Sequence, residues 1–291
     1  MIKDRAGNII ATDSAQGGAL DFLYKTALGR LITKLLTRKF ISELGRLYME
    51  SALSKGRIKR LIKEHSIDIS EYESREYSSF NDFFTRKILE GKRKIDTKSS
   101  TLIAPADSKL TAYKIKKDSR YRIKGCDYSI VALLGGDEKE ACEYYGGDCL
   151  VFRLSVDNYH RYCYTDNGTE LSHRFVPGLY HTVNPIALEK YDVYGKNCRE
   201  ITLLQTESFG RVAYIEVGAM MVGKINNTHK KSFSRGEEKG YFSFGGSTIV
   251  MLYKKGAIRL DDDILTNSAD ETETVVLYGE TIGTTGDKDG N

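Results

Sequence analysis

The sequence predicts an α+β protein: a helical N-terminal region followed by a mostly antiparallel β core. Three observations predict it. Apolar residues recur at helical spacing between Leu20 and Glu64. Beyond Leu102 the pattern changes to short β-like runs separated by Gly, Asp and Asn. The chain has 291 residues, 40% hydrophobic and 29% charged, which suits a soluble protein with one large core. On this pattern the chain divides into a helical region over 1–75 and a β-rich core over 76–291.

In order along the chain, the stretch up to Gly18 reads as flexible. Leu20, Leu23, Tyr24, Ala27, Leu28, Leu31 and Leu35 then share the spacing of one helix, Leu20 to Leu36. Lys25, Arg30, Lys34 and Arg38 fall largely on its other faces. Such a basic amphipathic helix suits packing on its own domain or lying on a membrane interface, and the two are compatible. A second helical pattern runs from Ile41 to Leu53, and a short basic one from Lys55 to Glu64. "FNDFFTRKI", Phe80 to Ile88, opens the next region as a further helix. The strands that follow are "TLIAPAD", "KLTAYKI", "CLVFRLSV", "REITLLQT", "RVAYIEVGAMMVGKI", "YFSFGGSTIVMLY" and "TVVLYGETIG". The tail "TTGDKDGN" reads as disordered.

The net charge of +4 is too weak to argue for a nucleic-acid partner. Its distribution says more: Leu20 to Glu64 holds eleven Lys/Arg against four Asp/Glu. That block suggests an acidic partner surface such as anionic lipid. The five cysteines are odd in number and form no CxxC pair, which argues against a disulfide framework and a zinc site, so no metal is expected. "MIKDRAGNII" lacks a signal-peptide core and no run of 18 apolar residues exists, so the expected location is the cytoplasm, at the membrane surface.

"EKGYFSFGGSTIVMLY", Glu238 to Tyr253, reads as one strand with Gly245, Gly246, Ser247 and Thr248 in its middle. Glycine weakens a strand interior. A serine hydroxyl, however, can attack the carbonyl of the residue before it and convert an amide into an ester. β-Elimination of that ester leaves dehydroalanine, which hydrolyses to a pyruvoyl group. The attack requires an unusual backbone geometry that glycine tolerates, and a base for the hydroxyl. The functionally silent alternative is a glycine bulge in a hairpin.

Other segments bear on that choice. "FSFGGSTIVMLY" resembles the processing site of phosphatidylserine decarboxylase proenzymes, which carry Gly-Ser-Thr or Gly-Ser-Ser there. "FNDFFTRKILEGKRKID", "LIAPADSKL", "LSVDNYHRYCY", "VNPIAL", "IEVGAMMVGKI" and "VLYGETIG" are similar to further segments of that family, in the same order, from Phe80 to Gly283. The resemblance implies self-cleavage between Gly246 and Ser247, giving a β chain of 1–246 and an α chain of 247–291 that stay together. It implies that Ser247 becomes a pyruvoyl cofactor, that the substrate is phosphatidylserine in the membrane and that the product is phosphatidylethanolamine. It points to peripheral attachment at the cytoplasmic face of the cell membrane, and only weakly to a homodimer.

Residue by residue, Asp107 matches the family aspartate of an Asp-His-Ser relay, with Ser108 in place of the usual glycine. Without the family it would read as a turn aspartate. His160 matches the first histidine of the Asp-Tyr-His-Arg-x-His motif, which acts near the pyruvoyl group; otherwise it would read as a satisfied core histidine. The second histidine, the relay base, falls on Cys163, and the motif's aspartate falls on Asn158, beside Asp157. A neutral thiol cannot serve as that base, and a thiolate needs an electropositive site. Among His65, His160, His173, His181 and His229, the best substitute by sequence is His181 in "YHTVNPIAL", while His160 could serve both steps. Three alternatives stay open. One is a pyruvoyl decarboxylase for another amine substrate, and one is an uncleaved lipid-binding protein. The third is a Cys163–His160 hydrolase, disfavoured because residues three apart on a strand face opposite ways.

Overall fold

The computed structural model describes all residues except 12–17, 117–119, 124–125, 189–190, 220–223, 246 and 287–291. Its helices and mostly antiparallel sheets form the expected α+β fold.

The first eleven residues correct the expectation of a flexible leader. β1 (Ile2–Lys3) pairs in parallel with Glu273–Thr274, and β2 (Ile9–Ala11) pairs with β1. Arg5 anchors this start through Asp261 at 2.7 Å and Asp263 at 2.5 Å. The single helix expected from Leu20 to Leu36 is two: α1 (Ala19–Lys25) and α2 (Ala27–Leu36). Thr26 breaks them with an extended backbone, and its side chain accepts from the Gly29 N–H at 2.9 Å. Gly29 makes the crossing feasible, since a Cβ there would lie 1.9 Å from the Phe22 carbonyl oxygen. The two helices treat their apolar residues differently. Tyr24 of α1 is buried, whereas α2 buries Gly29 and Thr33 and leaves Leu28, Leu31 and Leu35 more than 60% exposed. α3 (Lys39–Glu50) and α4 (Gly56–His65) follow close to their expected bounds, and α5 is the short helix Phe80–Phe84.

The remaining elements, in order, are β3 (Thr101–Ile103), β4 (Ser108–Lys114), β5 (Arg120–Ile123), β6 (Cys126–Ser129), α6 (Ile130–Leu133), α7 (Glu138–Cys142), β7 (Asp148–Leu154), β8 (Arg161–Cys163), β9 (Gly168–Val176), α8 (Pro185–Leu188), α9 (Val193–Lys196), β10 (Arg199–Thr206), β11 (Gly210–Gly218), β12 (Ile225–Asn227), β13 (Ser232–Phe233), β14 (Glu238–Phe242), β15 (Ser247–Tyr253), β16 (Ile258–Leu260), α10 (Asp262–Ala269), β17 (Glu273–Val276) and β18 (Thr281–Thr285). Among the described residues a ten-stranded sheet runs β13-β9-β10-β11-β15-β7-β4-β17-β1-β2. A three-stranded sheet, β12-β14-β8, lies against it. β15 and β7 are buried along their whole length, as expected for central strands covered on both faces.

The stretch read as one strand from Glu238 to Tyr253 is two strands in two sheets. β14 belongs to the small sheet and β15 to the large one. Gly245 therefore does not interrupt a strand. It sits where the chain leaves the small sheet, with φ +136°, a conformation that L side chains rarely adopt. Thr284 and Thr285, read as part of a disordered tail, close β18.

Candidate active site

Ser247 is the first residue of β15, paired with Gly218 of β11 and Leu154 of β7. Alternate residues share a face, so Ser247 points the same way as Ile249 and Met251. Met251 pairs with Tyr214, whose ring lies 6.3 Å from that of Tyr162 on β8. Ser247 thus faces the small sheet. Its hydroxyl is fully buried and has no hydrogen-bond partner among the described residues. An orphaned buried hydroxyl is costly in a packed core, and such groups call for a functional explanation. Gly246, the other half of the expected cleavage bond, lies outside the described residues.

His160 sits just before β8, also fully buried. Its carbonyl accepts from the Phe242 N–H at 3.0 Å, which ties it to the segment leading into Ser247. Its Nδ1 lies 2.9 Å from the Asn158 carbonyl, so Nδ1–H donates there and Nε2 keeps a free lone pair. Nε2 is buried without a partner among the described residues. Burial pushes the ring's pKa down to about 3, so it is neutral at physiological pH. Asn158, where the family motif has aspartate, caps the turn instead: its side-chain oxygen accepts from the Ser155 N–H at 2.8 Å.

α5 holds these pieces together. The Phe84 ring packs 3.9 Å from the His160 ring and 5.2 Å from that of Phe244. The Asn81 side chain accepts from the Phe244 N–H at 2.8 Å. Ser79 caps the helix by accepting from the Asp82 N–H at 3.1 Å. Beside this lies a polar cleft of about 570 Å³, lined by Arg46 and Glu50 of α3, Asn81, Lys224, Asn226 and Ser243.

Asp107 and Cys163 come together at the end of β8. The Cys163 N–H donates to the Pro105 carbonyl at 3.0 Å, and the Tyr278 N–H donates to Asp107 Oδ1 at 2.8 Å. Asp107 does not stand free for a relay. Arg93 forks onto its carboxylate at 2.6 and 2.9 Å. The Cys163 thiol is fully buried, and burial pushes its pKa up to about 12, so it is protonated and no thiolate is available.

His181 occupies a different corner. Its Nδ1 is 3.4 Å from the Tyr24 hydroxyl and its ring stacks on Tyr191 at 4.7 Å. Burial pushes its pKa down to about 4. Its backbone is linked to the strand beside Ser247 through the Asn197 side chain, which donates to the carbonyls of both His181 and Gly218 at 2.8 Å.

Over residues 80–284 the chain matches the family described as phosphatidylserine decarboxylase. The chain belongs to the phosphatidylserine decarboxylase family. It is 49% identical over 273 residues to phosphatidylserine decarboxylase proenzyme 2 of Clostridium acetobutylicum, covering 94% of each chain. It is 42% identical over 281 residues to the phosphatidylserine decarboxylase proenzyme of Ruminiclostridium cellulolyticum, covering 94% of this chain and 93% of that one. It is 40% identical over 271 residues to the proenzyme of Clostridium tetani, covering 91% of both.

Membership in the phosphatidylserine decarboxylase family gives weight to site residues that the sequence reading left without a role. Asn81 and Phe84 belong to the quoted "FNDFF", but only the fold shows that they brace His160 and Phe244. Lys239 and Glu216 form a buried pair at 2.6 Å. Glu216 pairs with Ile249, so it shares the Ser247 face. Burial, opposed by Lys239, raises its pKa to about 7, where a carboxyl can hold or release a proton at neutral pH. No sequence signal marks that pair, because its members lie on strands of different sheets. Among the described residues no helix is long and apolar enough to cross a membrane.

Proposed function

We propose that this chain cleaves itself between Gly246 and Ser247 and then decarboxylates phosphatidylserine to phosphatidylethanolamine and carbon dioxide. The observation that carries the reading is the buried, unpartnered Ser247 hydroxyl behind a left-handed Gly245, on the face that the His160 layer covers. These residues fit the formation of a pyruvoyl group from Ser247. That group supplies an electron sink for the pair released as carbon dioxide leaves. His160 is the base of the cleavage step: it holds a free Nε2 lone pair in a fully buried position, and it takes the Ser247 proton as the hydroxyl attacks. We assign this role to His160 rather than His181, whose ring faces Tyr24 and Tyr191. Cys163 and Asp107 are positioning residues that fix the turn behind β8. After cleavage the two pieces stay joined, because β15 remains paired between β11 and β7.

The substrate reaches the site from a bilayer. A surface helix normally turns its apolar stripe inward. α2 turns Gly29 and Thr33 inward and Leu28, Leu31 and Leu35 outward, and α3 adds exposed Phe40, Leu44 and Leu47. Arg30, Lys34 and Arg38 flank this apolar surface, the combination that suits an anionic membrane. The polar cleft joins α3 to Ser243, so a headgroup entering beside α3 is led toward Ser247.

Wild-type protein is expected to release carbon dioxide from phosphatidylserine vesicles, and Ser247→Ala to release none. Burying one leucine in lipid is worth about 2 kcal/mol, so Leu28→Asp with Leu31→Asp should weaken vesicle flotation by roughly 100-fold or more. Flotation equal to wild type would remove this surface from the account and favour a second copy of the chain as its cover.

A further inference from the structure

A cluster of side chains far along the sheet from Ser247 has the composition of a metal site. On a regular strand residues three apart face opposite ways. In β9 the register with β10 shifts between Leu203 and Leu204, which pair with Ser172 and Glu170 and leave Leu171 as an inserted residue. This bulge turns Glu170 and His173 to the same face. His229 joins them from the loop between β12 and β13, held at φ +46°. One ligand atom from each of the three lies within 4.8 Å of the other two.

Two further observations point to a cation. The Glu170 side chain is only 9% exposed, and its Oε1 is 2.6 Å from His173 Nδ1 and 3.7 Å from His229 Nδ1. Its Oε2 is buried with no hydrogen-bond partner among the described residues, a carboxylate oxygen withheld from water for no visible reason. In addition, His229 Nε2 lies 3.1 Å from Glu200 Oε1, which also accepts from Asn227 at 2.8 Å. A carboxylate on the far nitrogen fixes a ring's tautomer and aims its other nitrogen at a metal. With Nε2–H bonded to Glu200, the Nδ1 lone pair of His229 faces Glu170. Among the described residues no Lys or Arg pairs with Glu170 or Glu200, so only the histidines stand against two carboxylates.

We propose that Glu170, His173 and His229 bind a divalent cation of the zinc class, with Glu200 orienting His229. Two imidazoles and one carboxylate suit zinc rather than magnesium or calcium, which prefer all-oxygen sites. Bonds of about 2.1 Å place tetrahedral ligands about 3.4 Å apart, so the His173 Nδ1 contact with Glu170 opens from 2.6 Å, giving up its proton, and the His229 Nδ1 contact closes from 3.7 Å. His173, half exposed, has room to do so. A fourth position stays open to water. The bound ion ties β9 of the large sheet to the loop after β12, and so braces the small sheet whose β14 leads into the cleavage site.

The test is calorimetric titration of the full chain, stripped with EDTA, with zinc chloride, in wild type, His173→Ala, His229→Ala and Cys142→Ser. One zinc per chain, a raised thermal midpoint and no response to magnesium are expected. Each histidine variant should bind at least 10-fold more weakly, and up to about 100-fold, while Cys142→Ser binds as wild type. His173→Ala should keep the metal-free thermal midpoint, since that ring is half exposed. X-ray absorption of the zinc complex should show nitrogen and oxygen neighbours only. Absence of binding, binding indifferent to both histidines, or sulfur in the zinc shell would overturn the assignment.

Discussion

His160→Gln leaves the purified chain largely uncut, with self-cleavage slowed by about 10²- to 10⁴-fold, the usual worth of a positioned base. The measurement is a time course of fragment appearance after release from denaturant, with circular dichroism to show that the variant folds. Cys163→Ser should change the rate by only a few fold, because the thiol, its pKa near 12, carries no charge to lose. The pH dependence separates His160 from an ordinary histidine. With a pKa near 3 it stays in its proton-accepting form across the physiological range, so cleavage does not fade through its titration between pH 8 and 5. Stability behaves differently. The unfolded chain's histidine takes up a proton near the ordinary value of 6.5, which the folded ring refuses down to about 3. The stabilisation is therefore complete above about pH 6.5 and is lost as pH falls toward 3, at up to about 1.4 kcal/mol per unit. His160→Gln should flatten that acid slope of the thermal midpoint.

Phe84→Ala is expected to cost about 3–5 kcal/mol of stability, because the ring is fully buried among Phe80, His160 and Phe244. It should also slow self-cleavage beyond what instability explains, since the ring sets both the base and the segment three residues before Ser247. Comparing rates about 20 °C below each variant's own midpoint separates the two effects. Asn81→Ala removes one hydrogen bond to the Phe244 N–H and should cost about 1 kcal/mol, with a smaller slowing. Cleavage of Phe84→Ala at the wild-type rate under those conditions would show that α5 packs on the site without positioning it.

What the sequence offered as candidate chemistry was carried by neighbours. Ser247 with its glycines, Asp107 in its turn, His160 in its motif and the departure at Cys163 are all local patterns. The α+β division was legible from the change of hydrophobic period near Leu102. What stayed hidden depended on distant contacts. Ile2–Lys3 is too short to carry a strand pattern, and its partner lies about 270 residues away. Thr26 sits inside an unbroken helical spacing, and only the contact at Gly29 shows why the chain turns there. "YFSFGGSTIVMLY" has strand character on both sides of the glycines, so nothing local says that the halves join different sheets. His181 stood beside a family-like segment, but sequence proximity does not aim a ring, and the fold gives it Tyr24 and Tyr191 as neighbours. The expectation of no metal rested on cysteine spacing. The site proposed at Glu170, His173 and His229 rests instead on a bulge and a loop, which cysteine spacing does not address.

Intact mass spectrometry of the purified wild-type chain beside a Ser247→Ala control tests the central claim most directly. The account predicts two fragments, one ending at Gly246 and the other beginning at residue 247 with a blocked, pyruvoyl N-terminus, and a single uncut chain for the control. A wild-type chain that stays whole under fresh native conditions, with a mass differing from the control only by the serine oxygen, would contradict it and leave a folded, lipid-binding member of the family that does not process itself.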